Sequence, residues 1–268
     1  LVQPHGMLLK EALKSKSFLS YTIKLFTLFI FYRFFLTKSS FIAVTEEEKK
    51  SINKYFPNAS ISIVKNPLAI QNIVSKNINK RFVYFGRFNK HKNLKEFITA
   101  FITAKPNSEW SFHIYGIEDD EKYKNELLDL VSRSGFQKSI KFIRPEFDIK
   151  KKFKIISESW CNVLLSKSEI LSLSVLEAFS VGTQSFVNKK IFFPTWLQKY
   201  LIRSEVSNLN LVRSIKSIMK QDINEKKILK DEMKVLFEKK YTLSDEKNVY
   251  KDFLNKIFKL HLSNNQFS

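Results

Sequence analysis

From residue 38 onward, short β-branched or aromatic runs alternate with amphipathic segments of about 10–15 residues. A chain patterned this way buries its strands by setting them parallel and covering both faces with helices. Arg81–Phe85, Trp110–Tyr115, Ser139–Ile143, Cys161–Ser166 and Ser185–Val187 predict strands, and Asn93–Thr103, Glu121–Arg133, Lys150–Ser157 and Ser174–Val181 predict the helices between them. The runs FVYF and NVLL are largely apolar, as strands buried on both faces should be. Upstream, Phe41–Val44 and Ile61–Val64 predict two further strands. Thr45 followed by Glu48 is a capping-box pattern and predicts a helix from about residue 46 to 55. The segment from about residue 194 to 262, rich in Lys and Glu, predicts helix without strand. The expected fold class is α/β, with a doubly wound domain at residues 66–240. Residues 1–65 read as the remnant of a preceding domain, with Leu1-Val2 ending a strand. Residues 241–268 predict a carboxy-terminal helix packing back toward the amino-terminal part.

The net charge of +20 comes from 39 Lys and only seven Arg. Grips on phosphates and bases built for bidentate contact lean on Arg, so this balance argues against a dedicated nucleic-acid binder. It does predict a positive field that attracts anionic lipid head groups or phosphorylated substrates. One Cys cannot form an internal disulfide, which makes the cytoplasm the default compartment. The most apolar stretch, Leu25–Leu36, is shorter than the about 20 residues a spanning helix needs. It reads either as a helix buried between domains or as an interfacial helix lying on a membrane.

All five glycines, Gly6, Gly86, Gly116, Gly135 and Gly182, fall where a predicted strand ends or a loop turns. Gly86 and Gly116 come directly after predicted strand ends, and doubly wound sheets bind their ligands beyond the carboxyl ends of the strands. Neither a dinucleotide fingerprint nor a P-loop is present.

Two segments carry candidate chemistry. After strand 81–85, Arg87 and Lys92 lie on a loop that opens a helix, where backbone N–H groups and the helix dipole already favour an anion. They can neutralise a diphosphate leaving group, or they are two solvated cations in a Lys-rich chain. After strand 161–166, Glu169 sits in the loop and Glu177 on the following helix. The two carboxylates could touch different parts of one extended ligand, one accepting from sugar hydroxyls and the other from ribose hydroxyls. Taken alone, they read equally as surface acids. No His, Cys and carboxylate cluster has metal-ligand spacing. His113 lies inside a strand and reads as a packed residue, and Cys161 as a small core residue.

Taken in order, these segments resemble the family 4 glycosyltransferases of the two-Rossmann-domain (GT-B) fold. The resemblance runs over Pro4-His5-Gly6-Met7, Ala43-Val44-Thr45-Glu46-Glu47-Glu48, Val64-Lys65-Asn66-Pro67, Phe85-Gly86-Arg87 with Lys92-Asn93-Leu94, and Ile114-Tyr115-Gly116. It ends in Glu169 and Glu177 spaced as E-x7-E, with Ala178 and Gly182. The resemblance implies retaining transfer of a sugar from a nucleotide-sugar donor, with no resident cofactor and no bound metal. It implies that Arg87, Lys92 and Gly86 hold the donor diphosphate, with the backbone at Leu171 and Ser172 facing it. Glu177 would accept from the ribose, Glu169 would contact the transferred sugar, His5 would stand near the reacting carbon, and Asn66 would lie at the domain junction. The implied acceptor is lipid-linked or a saccharide, at the cytoplasmic face of a membrane.

Three departures from the family's pattern stand out. Leu171-Ser172 replace an aromatic-Gly pair, Gln184 replaces a Pro, and the first strands of the amino-terminal domain are missing. A non-catalytic nucleotide-sugar-binding protein or partner subunit is therefore the first alternative. A basic nucleic-acid-binding protein is the second.

Overall fold

The computed structural model describes residues 2–4, 18–31, 40–64, 68, 71, 73, 75, 77–169 and 172–240. The chain divides into two compact units, of which Leu68–Lys240 is the larger.

In the smaller unit, β1 (Ser40–Ala43) and β2 (Ser60–Ile63) pair in parallel, with α2 (Glu46–Tyr55) as the crossover. Val2 bridges Phe41, so the expected strand end is present at that residue. Thr45 Oγ1 accepts the Glu48 N–H at 3.1 Å, as the capping pattern predicts. The buried Glu48 carboxylate takes the Val44 N–H at 2.7 Å and thereby fastens the helix start to the end of β1. Phe41, Ala43, Ile52 and Phe56 form the local core.

Helix α1 (Phe18–Phe31) departs from the expectation of a buried helix. Leu19, Ile23, Phe26 and Phe29 are each more than half exposed. No described helix is long and apolar enough to cross a membrane. Residues 32–36 of the apolar stretch, and the helix expected over 241–268, lie outside the described residues.

The larger unit is a six-stranded, all-parallel sheet. Its strands are β3 (Asn79–Arg87), β4 (Ser111–Ile117), β5 (Ile140–Ile143), β6 (Ser159–Leu164), β7 (Ser185–Asn188) and β8 (Leu201–Ser204). Their spatial order is β5-β4-β3-β6-β7-β8. Counted from β3 this is 3-2-1-4-5-6, the doubly wound order, and the winding reverses between β3 and β6.

Strand β8 corrects the expectation of an all-helical tail. Its four residues LIRS pair with β7 from Ser185↔Leu201 to Asn188↔Ser204. An edge strand this short has no room to show a period of two, so its pairing comes from the sheet beside it.

Side chains alternate along β3 and so feed two cores. Phe82 and Tyr84 join an aromatic-rich core with Phe97, Phe101, Phe112, Trp110 and Trp160, covered by α3 (Leu94–Ala104) and α8 (Asn208–Met219). Phe85 packs on the opposite face against α5 (Ile149–Ser157) and α6 (Leu173–Ser180), through Phe153, Ile156, Ala178 and Val181. Every residue of β6 is buried, the polar Ser159 and Asn162 included, and Asn162 Nδ2 donates to Ser185 Oγ at 3.0 Å. The remaining helices are α4 (Glu121–Ser132), the one-turn α7 (Thr195–Gln198) and α9 (Ile223–Lys240).

Helix α9 packs on α6, and two of its lysines are buried against the segments beside that helix. Lys226 Nζ donates to Gln184 Oε1 at 2.7 Å, and Lys230 Nζ donates to the Ser157 carbonyl at the end of α5. Burial pushes both ammonium groups down to a pKa of about 8. Gln184, which stands where the resembled family carries Pro, thus has a structural task in this chain.

Candidate functional site

The reversal point between β3 and β6 is built by loops that hold each other. Gly86 and Arg87 are the last two residues of β3. The buried Tyr84 hydroxyl donates to the Arg87 carbonyl at 2.7 Å, folding the strand end back on itself. A Cβ on residue 86 would lie 2.5 Å from that hydroxyl oxygen, so this fold-back needs glycine. Asn89 then caps a single 3₁₀ turn, Lys90–Lys92, by accepting the His91 N–H at 2.9 Å. Asn93 follows in the left-handed region at φ 52 and donates Nδ2 to the Leu165 carbonyl at 2.6 Å. The Lys167 N–H donates to the His91 carbonyl at 2.8 Å. These two bonds fasten the loop after β3 to the loop after β6.

This scaffold brings Lys92 and Glu169 together, with Nζ 2.7 Å from Oε1. Their side chains are 23% and 19% exposed, so the pair is reachable yet shielded from bulk water. Arg87 is far more open. Its Nη1 lies 3.3 Å from Asp119 Oδ1, on the loop after β4. Asn89 Nδ2 donates to Asp119 Oδ2 at 2.8 Å, and that bond, with the Arg87 cation, holds the Asp119 carboxyl below the usual carboxylate range.

Glu177 lies on α6, and its two oxygens sit 2.8 Å and 2.7 Å from Lys152 Nζ on α5. Each carboxylate of the E-x7-E pair therefore has its own lysine. Ser172 is buried at the start of α6, with its hydroxyl 3.0 Å from that of Ser174 and its carbonyl accepting the Val175 and Leu176 N–H groups.

Of the residues singled out in the sequence, Gly86, Arg87, Lys92 and Glu169 lie at the carboxyl ends of β3 and β6, Ser172 stands at the N-cap of the helix that follows, and Glu177 lies on that helix. His5, Asn66 and Leu171 lie outside the described residues. The sequence reading missed Lys152, Asp119, Tyr84 and Asn89. Lys152 is the third of three consecutive lysines, Lys150-Lys151-Lys152, and nothing in such a run marks which one turns inward. Tyr84 looks like any core aromatic until its hydroxyl is seen bonded.

Two residues set aside in the sequence remain aside. Burial, with Arg81 and Lys141 nearby, lowers the His113 imidazole to a pKa of about 4, so it is neutral in its strand at ordinary pH. Burial pushes the Cys161 thiol up to about 12, which makes it inert. Among the described residues, no group of His, Cys, Asp and Glu has the arrangement of a metal site.

In its chemistry the site is a set of cations provisionally neutralised by carboxylates at a strand crevice. An incoming polyanion can take the cations over, and hydroxyl groups can take the carboxylates.

Known structures share this architecture. HepE from Anabaena, in complex with UDP and glucose, superposes with a TM-score of 0.74 at 14% identity, covering 95% of this chain and 71% of that one. Sucrose-phosphate synthase from Thermosynechococcus elongatus gives a TM-score of 0.76 at 12% identity, with coverage of 96% and 67%. TarM from S. aureus, as a mutant in complex with fondaparinux, a GlcNAc-glycerol and UDP, gives 0.64 at 17% identity, with coverage of 81% and 43%. The chain thus spans less than half the length of that last protein. The fold is that of the GT-B glycosyltransferases, with a Rossmann-like domain. No curated protein sequence matches the chain. The family model described as Glycosyl transferases group 1 matches residues 68–234, which include Arg87, Lys92 and both glutamates. With the larger part of its length inside that match, the chain belongs to the group 1 glycosyl transferases.

Proposed function

We propose that the chain carries the donor site of a retaining glycosyltransferase, which moves a sugar from a nucleoside-diphosphate sugar to a lipid-linked or polysaccharide acceptor. The observation that carries this reading is the 2.7 Å contact of Lys92 with Glu169 across the β3/β6 reversal point, with Arg87 open beside it. In transfer, the bond from the anomeric carbon to the diphosphate oxygen breaks, a bond from that carbon to an acceptor hydroxyl oxygen forms on the same face, and the hydroxyl's proton passes to the departing diphosphate oxygen. Negative charge then grows on the leaving diphosphate, which Arg87 and Lys92 stabilise without a bound metal. Lys92 leaves Glu169 for the phosphate, and Glu169 becomes an acceptor for hydroxyls of the transferred sugar. Glu177 accepts from the ribose. His5 would act at the reacting carbon and Asn66 near the donor, as the resemblance implies.

The test is a thermal-shift panel of UDP, GDP, ADP and their sugars. A nucleotide at 100 times its Kd should stabilise the chain by about 2.7 kcal/mol. A shift from one nucleotide that Arg87→Ala and Glu177→Ala both remove supports the reading, and no shift from any of them sinks it. The buried Ser172, where the resembled family has Gly, favours a second reading as a non-catalytic binder; measured sugar turnover excludes it.

For the acceptor side, the exposed stripe Leu19, Ile23, Phe26 and Ile30 on α1, in a chain of net charge +20, supports peripheral docking on an anionic membrane. Cosedimentation with phosphatidylglycerol vesicles should fall at least about tenfold in Phe26→Asp, since a charge in the apolar interface costs more than about 1.4 kcal/mol. Binding equal to that on neutral vesicles, or unchanged by the substitution, counts against docking.

A further inference from the structure

We infer that Lys152 is a positioning residue for the donor's ribose, acting by fixing the carboxylate of Glu177. The inference rests on the donor reading above, in which Glu177 takes the ribose hydroxyls.

Lys152 Nζ lies 2.8 Å from Oε1 and 2.7 Å from Oε2 of Glu177, so one ammonium straddles both carboxylate oxygens. The side chains of Lys152 and Glu177 are only 24% and 15% exposed. A surface lysine seldom holds a carboxylate still, because both side chains lose rotamer freedom and water screens the attraction. Here a second contact restrains the ammonium. Nζ stands 5.7 Å from the centre of the Phe85 ring, and that ring stacks on Tyr115 at 4.6 Å and 12°. The cation thus rests between a carboxylate and an aromatic face that the sheet itself anchors.

Joining α5 to α6 does not explain the pair. Phe153, Ile156, Ala178 and Val181 already pack those two helices together as a buried core. A carboxylate offers about four lone-pair positions, of which the ammonium occupies two. The other two remain as acceptors with a fixed direction, which is what two vicinal hydroxyls need. Without Lys152, Glu177 would rotate freely and its negative charge would stand uncompensated beside an anionic ligand.

The experiment compares UDP with 2′,3′-dideoxy-UDP by calorimetry on the full chain, using the guanine or adenine pair if the panel selects that base. The ratio of the two Kd values isolates the ribose hydroxyls from the phosphates. The wild type should favour UDP by at least about 30-fold, because hydrogen bonds to a charged acceptor are the strong ones. Glu177→Gln should cut the ratio to below about 5. Lys152→Met and Lys152→Gln should each cut it at least about fivefold, with melting temperatures near that of the wild type, and Lys152→Arg should restore most of it. If Glu177→Gln collapses the ratio while both neutral Lys152 variants keep it, the inference falls and the donor reading survives. If Glu177→Gln leaves the ratio unchanged, or no nucleoside diphosphate binds, the reading of Glu177 fails and takes the inference with it.

Discussion

Lys92→Ala should lower donor affinity and turnover together by about 10²–10³, the loss expected when one preorganised cation facing developing negative charge is removed. Two effects add up here. The variant loses the cation that would hold the diphosphate, and it leaves the Glu169 carboxylate, now 2.7 Å from Lys92 Nζ, without its partner at the same crevice. A bare carboxylate beside a diphosphate repels it. Pairing the substitution with Glu169→Gln should therefore recover part of the nucleotide affinity, while turnover stays low if Glu169 contacts the transferred sugar as proposed. Neighbours that share one network are expected to be non-additive in this way. Isothermal titration with the nucleoside diphosphate, with turnover measured in parallel, gives both numbers. Unchanged affinity in a normally folded Lys92→Ala would put the diphosphate somewhere other than the β3/β6 crevice.

Gly182→Ala should cost about 3 kcal/mol of stability, which for a chain of this size lowers the melting temperature by roughly 6–12 °C. Gly182 closes the turn after α6 at φ 74, where a side chain alone costs about 1–2 kcal/mol. A Cβ there would also lie 2.4 Å from the Lys230 carbonyl oxygen and 2.4 Å from Lys230 Cγ, so α9 would have to move off α6. Gly135 supplies a matched control. It has φ 78, but a Cβ there would meet nothing within 4 Å, so Gly135→Ala should cost only the backbone term, about 1–2 kcal/mol. Chemical denaturation of the two variants separates strain from collision. Equal losses would mean that α9 does not press on the turn. Because α6 also carries Glu177, a displaced α9 should loosen the donor side as well as the fold.

Both predictions concern residues that the sequence already set apart, and the reason is physical. In a chain with five glycines, each one at a turn stands out, and Gly86, Gly116 and Gly182 all occupy places where a Cβ would collide. Arg87, Lys92 and Glu169 stood out because the βαβ pattern puts the loops that follow strands on one edge of the sheet, and Glu177 because it lies eight residues after Glu169; alone they read equally as solvated charges, and the family resemblance supplied their roles. Periodicity, caps and buried apolar runs are local signals, and they sufficed for β1 through β7 and for the helices between them.

Other features depended on residues far apart in the chain. Strand β8 exists because β7 offers it an unpaired edge, which its own four residues do not announce. The exposure of α1 follows from what packs against it, and its composition alone fitted burial equally well. The pairing of Lys152 with Glu177 and of Arg87 with Asp119 joins residues 25 and 32 positions apart. In a chain with 39 lysines, the sequence marks none of them as the one that will meet a given carboxylate. The sequence by itself determined that the sheet is parallel and doubly wound and which loops follow its strands, because those follow from short-range pattern and chirality. Which charges neutralise one another at that point was decided only by the tertiary structure, because an ion pair depends on side-chain reach and burial across elements that the chain brings together only once folded.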